Sequence, residues 1–453
     1  MHRRSAHAKH GRSVRSLNLR LPVLPDQWRR WALTLALSVT AGVLSFSFFP
    51  NPATMPVADR LLDKGAFAAP ALPSLLGQGT SSSIADQAPA PVVTATAKDP
   101  ATGKPGPAHS AASAAAGGGT AFADAAGIGF FDGTQSPAGM ETAATWLGSS
   151  SSLKYAQDFI DATDFTKISN PWQLSHWQGS PFTMIWGVPM VPCGAPATQC
   201  ATNVSDYNEV ASGGANSYYV TLANNLVAAG FGSSYIRLGW EFNADWMGWA
   251  ICNQSDSALT SWASDFVPAF RNIVTSMRSV SGQHFKFIWN PIDTANANCP
   301  GGNLENFYPG DQYVDAVALD AYDGIGTATS SDQARWNDIL NGVNAGGYTA
   351  VQPASINGQS FQGYGLNWLA AFGHEHNKEI SLPEWGLMDA ATDGGGGDDA
   401  YYMTQMTQWI KTYASGPALF WNYGGGTLQL NIPNYTNGGT PNASAIFKAA
   451  FGS

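Results

Sequence analysis

The chain has 453 residues, of which 12% are charged and 12% aromatic, with 49 Gly, 16 Trp and four Cys. Its formal net charge is −10, and eight of the 22 basic residues but one of the 32 acidic residues fall within positions 1–49, so the remainder is strongly acidic. An acidic body excludes nucleic acid and polyanionic substrates, whose grooves are lined with Lys and Arg, and leaves neutral ligands; the surplus of Trp points to aromatic platforms.

Residues 1–30 are basic and polar. Trp31–Phe49 is an uncharged apolar run of 19 residues, long enough to cross a bilayer as a helix. Basic residues precede it and none follows closely. It therefore reads as a transmembrane signal anchor or the core of a secretory signal, with the N-terminus in the cytoplasm and the rest of the chain extracytoplasmic. Residues 50–123 are rich in Ala, Pro, Ser, Gly and Thr and have no sustained period, the composition of a disordered linker.

From Gly127 the texture changes. Eight short apolar runs follow one another: Ile128–Phe131, Tyr155–Phe159, Met184–Val191, Tyr235–Glu241, Phe285–Pro291, Val314–Tyr322, Ile380–Glu384 and Ala418–Asn422. Helical patterns lie between them at Asn216–Ala229, Ala258–Val280, Leu366–His376, Asp399–Tyr413 and Ser444–Phe451. Apolar strands alternating with helices predict an α/β fold, a (β/α)8 TIM barrel, over residues 124–453. A doubly wound open sheet competes, but no glycine-rich phosphate loop follows the first run. Each run ends in polar or aromatic residues, which directs attention to the C-terminal mouth of the barrel.

The fourth run ends at Glu241, among Trp240, Asn243, Trp246 and Trp249; the seventh ends at Glu384-Trp385-Gly386. Indole faces stack on the C–H faces of sugar rings, and two carboxyls facing each other across a barrel mouth are the equipment for cleaving a glycosidic bond. Trp172, His176 and Trp177, assigned to the loop of the third predicted strand, are expected to line distal subsites. Cys193, Cys200, Cys252 and Cys299 are even in number in an exported chain, and the expected disulfides are Cys193–Cys200 and Cys252–Cys299. Their spacing fits no zinc motif. His374 and His376 do not share a helical face, and the Asp393–Asp399 glycine run reads as a flexible loop rather than a calcium site. No metal or cofactor is expected.

Several stretches together carry a resemblance. They are Arg237 to Trp249, Trp289-Asn290-Pro291, Tyr313 to Tyr322, Pro383 to Gly386 and Phe420-Trp421-Asn422. Through them residues 127–452 resemble the retaining (β/α)8 glycosidases of clan A, and most closely glycoside hydrolase family 26. That family is best known for β-mannanases and also contains β-1,3-xylanases and mixed-linkage glucanases. The resemblance implies Glu241 as acid/base and Glu384 as nucleophile, with Tyr322 and Arg237 on the nucleophile. It also implies Trp289 and Trp421 as sugar platforms, and Asn243, Asn290 and Asp320 as hydroxyl partners. Trp246, Trp249 and Trp385 are expected as loop platforms, and Trp240 is counted with the substrate-binding residues. The implied partner is a neutral polysaccharide, acted on by a monomeric catalytic domain that meets a membrane only through its N-terminal segment. One position departs from the family. The family usually has His directly before the acid/base Glu, whereas Trp240 stands here with a single N–H donor. The departure bears on the sugar more than on the reaction class.

Overall fold

The structure, a computed structural model, describes residues 127–148, 153–192, 204–244, 247–251, 259–293, 303–324, 331–343, 352–390, 394–424, 428–432 and 439–452. The expected anchor, the linker and all four cysteines lie outside the described residues. Among the described residues no helix is long and apolar enough to cross a membrane.

Eight strands close into one parallel barrel in sequence order: β1 (Ile128–Phe131), β2 (Tyr155–Phe159), β3 (Thr183–Val188), β4 (Tyr235–Leu238), β5 (Lys286–Trp289), β6 (Ala316–Tyr322), β7 (Glu379–Gly386) and β8 (Ala418–Trp421). All eight apolar runs became strands, and β1 pairs with β8 to complete the ring, Ile128 opposite Ala418 and Phe131 opposite Trp421. A parallel strand covered on both faces needs apolar residues at both parities, which is why these runs are nearly continuous.

The inner face is graded along the barrel axis. Near the N-terminal ends it is apolar: Tyr155, Ile185, Tyr235, Ile288, Ala316, Ala318 and Leu419 form a buried cluster of their own, separate from the outer core. At its foot, Tyr235 Oη and Lys286 Nζ donate to Glu379 at 2.7 and 2.5 Å. Towards the C-terminal ends the inward positions turn polar, with Gln157, Arg237, Asn290, Asp320 and Glu384 all at most 1% exposed. Burying this many polar groups is tolerable only when they satisfy one another.

The outer layer comprises α1 (Pro137–Leu147), α2 (Phe165–Ser169), α3 (Leu174–Trp177), α4 (Val204–Ser212), α5 (Asn216–Ala228), α6 (Leu259–Arg278), α7 (Asp332–Asn341), α8 (Leu366–Glu375), α9 (Ala400–Tyr413) and α10 (Pro441–Phe451). The closing helix is anchored by Phe447, whose ring lies 5.3 Å from Phe130, 5.5 Å from Phe420 and 5.8 Å from Trp385.

The glycine-rich segment between β7 and α9 is held rather than loose over its described part. Asp399 accepts from Tyr402 N at 2.8 Å, capping α9, and pairs with Arg335 of α7. Arg335 also donates to Asp323 at the end of β6, 3.0 Å. Asp398 accepts from Asn442 N and Ala443 N at 3.0 and 2.8 Å, capping α10. Protein donors thus already engage Asp398 and Asp399; Asp393 lies outside the described residues.

Candidate active site

Strand alternation points Tyr235 and Arg237 into the barrel and Ile236 and Leu238 outward. The strand stops at Leu238 because the backbone then turns sharply. Gly239 takes φ +55°, and a Cβ there would lie 2.3 Å from Met190 Sδ, so a side chain at this position would have to displace Met190 as well as accept a left-handed backbone. Two residues later Glu241 takes φ +52°. For a residue with a Cβ that conformation costs on the order of 1–2 kcal/mol, and such strain persists only where neighbours enforce it. Two backbone hydrogen bonds enforce it: Glu241 N donates to Asn290 O at 2.8 Å, and Ala244 N donates to Glu241 O at 3.0 Å. Asn243 clamps the turn further, donating to Ile292 O at 2.9 Å and accepting from Ile292 N at 2.8 Å. The turn carrying Glu241 is therefore stitched to the end of β5.

Arg237 is the hub. Its Nε donates to Asn290 Oδ1, its Nη2 to Asp320 Oδ2, and its Nη1 to Glu384 Oε2 at 2.7 Å. With the amide of Gln157 oriented to satisfy both its groups, Nη1 also donates to Gln157 at 3.2 Å. The Phe159 and Trp240 rings flank the guanidinium at 6.0 and 5.7 Å. Burial works against its charge, but Asp320, Glu384 and Glu241 outweigh that, and the net direction of its pKa is upward.

Glu384 is gripped on both oxygens, Oε2 by Arg237 and Oε1 by Tyr322 Oη at 2.7 Å. Asp320 accepts additionally from Asn290 Nδ2 at 3.2 Å. Burial pushes the Asp320 carboxyl up; Arg237 opposes this, while Glu384 and Glu241 add to it. One carboxylate oxygen from each of Glu241, Asp320 and Glu384 lies within 4.8 Å of the others. Such a cluster has the donor set for a divalent ion. The cationic partner present is Arg237, which already donates to two of the three carboxylates.

The aromatic residues divide by strand parity. Trp421 faces inward, stacked on Phe131 at 4.1 Å. Phe159 continues this wall, 6.3 Å from Trp421 and 5.0 Å from Trp240. The mouth thus has an aromatic side and an acidic side. Two of the expected platforms face the other way. Trp289 lies outward between β5 and α8, with Phe372 at 5.6 Å and Trp368 at 6.3 Å, and donates to Phe307 O at 3.2 Å. Trp385 lies outward against Phe420 and Phe447. Each sits next in sequence to an inward polar residue, Asn290 or Glu384, and alternation forces it to the helix layer. Trp249 is fully buried and donates to Trp240 O at 2.7 Å, bracing the acid-bearing turn rather than lining a loop. Trp246 lies outside the described residues.

Asn243 and Asn290 act as struts, the first on Ile292 and the second on Arg237 and Asp320. The trio Trp172, His176 and Trp177 belongs to the segment between β2 and β3, not to the loop after β3. Trp177 is buried and donates to Asp158 at 2.7 Å. Trp172 is 48% exposed in a shallow groove with Ala228 and Ala229, at the end of α5 that leads into the foot of β4, away from the mouth.

Sequence reasoning does not reach Phe131, Phe159, Gln157 or Asp293. Phe131 and Phe159 are the last residues of their strands, and the strand-end rule that picks out Tyr322 would also have found them. Asp293 lies two residues past the fifth apolar run. Its carboxyl is pushed up to about 8, first by burial and then by the like charge of Glu241.

Comparison with known proteins adds the following. Residues 121–362 match the family model described as Glycosyl hydrolase family 26, a little over half of the chain, reaching from ahead of β1 to just before α8. A segment of 158 residues is 32% identical to Endoglucanase H of Acetivibrio thermocellus. That match covers 34% of this chain and 16% of the relative, so the chain spans a small part of that protein's length. Among solved structures, a Bacillus subtilis mannanase, BCman, is 16% identical, covering 72% of this chain and 85% of that one, with a TM-score of 0.42. The catalytic domain of a GH26 endo-β-1,4-mannanase from Bacillus sp. JAMB-750 is 14% identical, covering 72% and 87%, with a TM-score of 0.44.

Proposed function

Since the chain belongs to glycosyl hydrolase family 26, we propose that it is a retaining endo-β-glycosidase that cleaves a neutral polysaccharide by double displacement. The observation that carries the reading is the separation of the carboxyls, with one oxygen of Glu241 within 4.8 Å of one of Glu384. Retaining enzymes hold their two carboxyls about 5–5.5 Å apart, whereas inverting enzymes leave about 6.5–9.5 Å for a water.

In the first step a Glu384 oxygen attacks the anomeric carbon. Glu241 gives its proton to the glycosidic oxygen, and the aglycone leaves. In the second step Glu241 removes a proton from water, the water oxygen attacks the same carbon, and Glu384 departs as carboxylate. Arg237 and Tyr322 hold the nucleophile in line, and Asp320 acts through Arg237. Trp421 is the platform under the sugar at the cleavage point. Its indole N–H is buried without a hydrogen-bond partner among the described residues, which favours an acceptor on the ligand. The proposed steps use side chains alone.

Proton NMR of early product should show the β-anomer before mutarotation; an α-anomer appearing first overturns double displacement. A mannan is the first substrate to test, from the resemblance to β-mannanases. A β-glucan is the second reading, favoured by the 32% identity to a protein named Endoglucanase H. Reducing-end release from mannans, glucans and xylans separates the two. Binding across that panel without any release points instead to a non-catalytic glycan-binding barrel.

The domain plan belongs to the same proposal: a basic segment 1–30, a membrane segment 31–49, a linker 50–123 and an extracytoplasmic catalytic domain 124–453. Cell fractionation should find the activity outside the cytoplasm, and Cys193, Cys200, Cys252 and Cys299 should resist alkylation until reduced. Cytoplasmic activity with four free thiols removes this part of the proposal.

A further inference from the structure

Trp172 is one of two large apolar side chains exposed among the described residues, Tyr413 being the other. At 48% exposure it leaves a broad indole surface in water, and the mechanism above gives it no task. The groove around it measures about 480 Å³ and lies between the α2–α3 segment and the end of α5. That volume falls within the range of sites for small-molecule-sized ligands. Asn170, Ser175, Gln178 and Asn225 supply the polar lining, and no lining residue carries an ionisable side chain.

The walls of the groove are fixed by their own contacts. Phe165 of α2 stacks on Tyr218 of α5, ring centroids 4.9 Å apart and planes 12° apart. Asn225 Nδ2 donates to Ser169 O at 2.8 Å and to Asn170 Oδ1 at 3.2 Å, so the two amides are set against each other across the junction. Asn170 Nδ2 in turn donates to Thr166 O at 3.1 Å and to Ser169 Oγ at 2.8 Å. Trp172 O accepts from Ser175 Oγ at 2.9 Å, and His176 props the indole in a T-shaped contact at 5.7 Å. Gln178 is exposed, and among the described residues its amide bonds no protein group, which leaves its N–H and C=O for a ligand. A platform and amides held in this way lose little freedom when something binds.

The lining selects the occupant. A stable protein interface buries about 800 Å² on each partner around several apolar anchors, whereas here one Trp stands among amides and the small side chains Ala228 and Ala229. A membrane surface or a phosphate group calls for Lys and Arg, and the lining has neither. A sugar ring meets what is present: its C–H face stacks on an indole, and its hydroxyls pair with amides, which both donate and accept. We propose that the Trp172 groove is a second carbohydrate site, which holds a neutral polysaccharide chain outside the catalytic cleft. The end of α5 leads into the foot of β4, while Glu241 lies past the opposite end of that strand, so a sugar in the groove occupies no subsite of the cleft. The groove tethers the enzyme to long or insoluble substrate by adding a second point of attachment, and it takes no part in bond cleavage. For the identity of the ligand the inference rests on the proposed action on a neutral polysaccharide.

The test is native electrophoresis through gels containing mannan, β-glucan or xylan, with Glu384→Ala as the parent protein so that the polysaccharide survives the run. Adding Trp172→Ala should weaken retardation, the dissociation constant rising by about tenfold, while Trp172→Phe keeps most of it. In the otherwise wild-type protein Trp172→Ala should leave kcat and KM on an aryl glycoside and the melting temperature unchanged, since the indole is half exposed and remote from the cleft. Equal retardation of the parent and Trp172→Ala in every gel, or no retardation of the parent in any, overturns the proposal. A dimer in sedimentation velocity that Trp172→Ala takes apart, with retardation left as it was, assigns the groove to a second copy of the chain and overturns it as well. Failure of the enzyme reading looks different: the wild-type protein then releases no reducing ends from any of the three polysaccharides, while Trp172 still governs retardation and the site stands.

Discussion

Glu384→Ala is expected to lower kcat on polysaccharide by on the order of 10⁴-fold or more, the scale seen when a covalent nucleophile is removed. The neighbours make the expectation specific. Both Glu384 oxygens are engaged, by Arg237 and Tyr322, so the carboxylate is aimed before substrate arrives, and no other acid can take over its trajectory. Asp320 is close enough, but Arg237 and Asn290 hold it. Glu241→Ala should behave differently. It should lose about 10²–10⁴-fold on polysaccharide, the usual share of general acid catalysis, and far less on an aryl glycoside whose leaving group needs no proton. Azide separates the two roles by stereochemistry. In Glu384→Ala it replaces the nucleophile and attacks once, giving an α-glycosyl azide. In Glu241→Ala it attacks the glycosyl-enzyme from the opposite face and gives the β-azide. The same anomer from both variants, or wild-type turnover in Glu384→Ala, sinks the assignment.

Much of this was legible in the chain, for identifiable reasons. A parallel strand buried on both faces is mostly apolar, with polar residues only where they satisfy one another at the mouth, so all eight strands could be counted by eye. The helices were less visible. The α1 helix hides in an Ala-rich stretch, although Pro137 at its first turn and Gly148 just past its end are ordinary start and stop signals. The α7 helix likewise has Ser331 accepting from Ala334 N and Gly342 in a left-handed cap. Residue type alone misjudged the tryptophans. A Trp at a strand end looks like a platform whichever way it points, but Trp289 and Trp385 have the outward parity and serve the helix layer. Counting parity from Arg237, Asn290 and Glu384, rather than counting Trp, separates them from Trp421. Asn243 shows a related limit. A polar residue beside an acid reads as a ligand-binding group, whereas here the turn requires both ends of its amide for Ile292. Asp293 was hidden because an apolar run defines where a strand stops, and the pairing of Ile292 with Asp320 carries the ladder beyond that point.

Arg237→Met is expected to cause the largest loss of stability among single substitutions at the mouth, about 3–5 kcal/mol, because it leaves buried carboxylates without their cation. Arg237 and both its acidic partners have fully buried side chains, so solvent cannot take over the lost charge. The carboxyls are then expected to hold protons in the folded state. Asp320 already shows the direction, raised by burial and by the nearby glutamates even with Arg237 opposing. The sign of the pH effect follows. An acid whose folded pKa lies above its unfolded value binds more protons when folded, so its contribution to stability is full at low pH and is lost as pH rises from the ordinary carboxylate range towards the folded value. Thermal melts of Arg237→Met should therefore recover more, as pH is lowered into the mildly acidic range, than those of the wild-type protein, in which the raised carboxyls act in the same direction but Arg237 opposes the shift of Asp320. Adding Asp320→Asn should restore part of the stability near neutral pH by removing one of the stranded charges. Activity should not return with it, because Glu384 still lacks the guanidinium that aims it. Equal melts for the single and double variants at every pH would mean that the ion pairs at the hub are not what holds the mouth together.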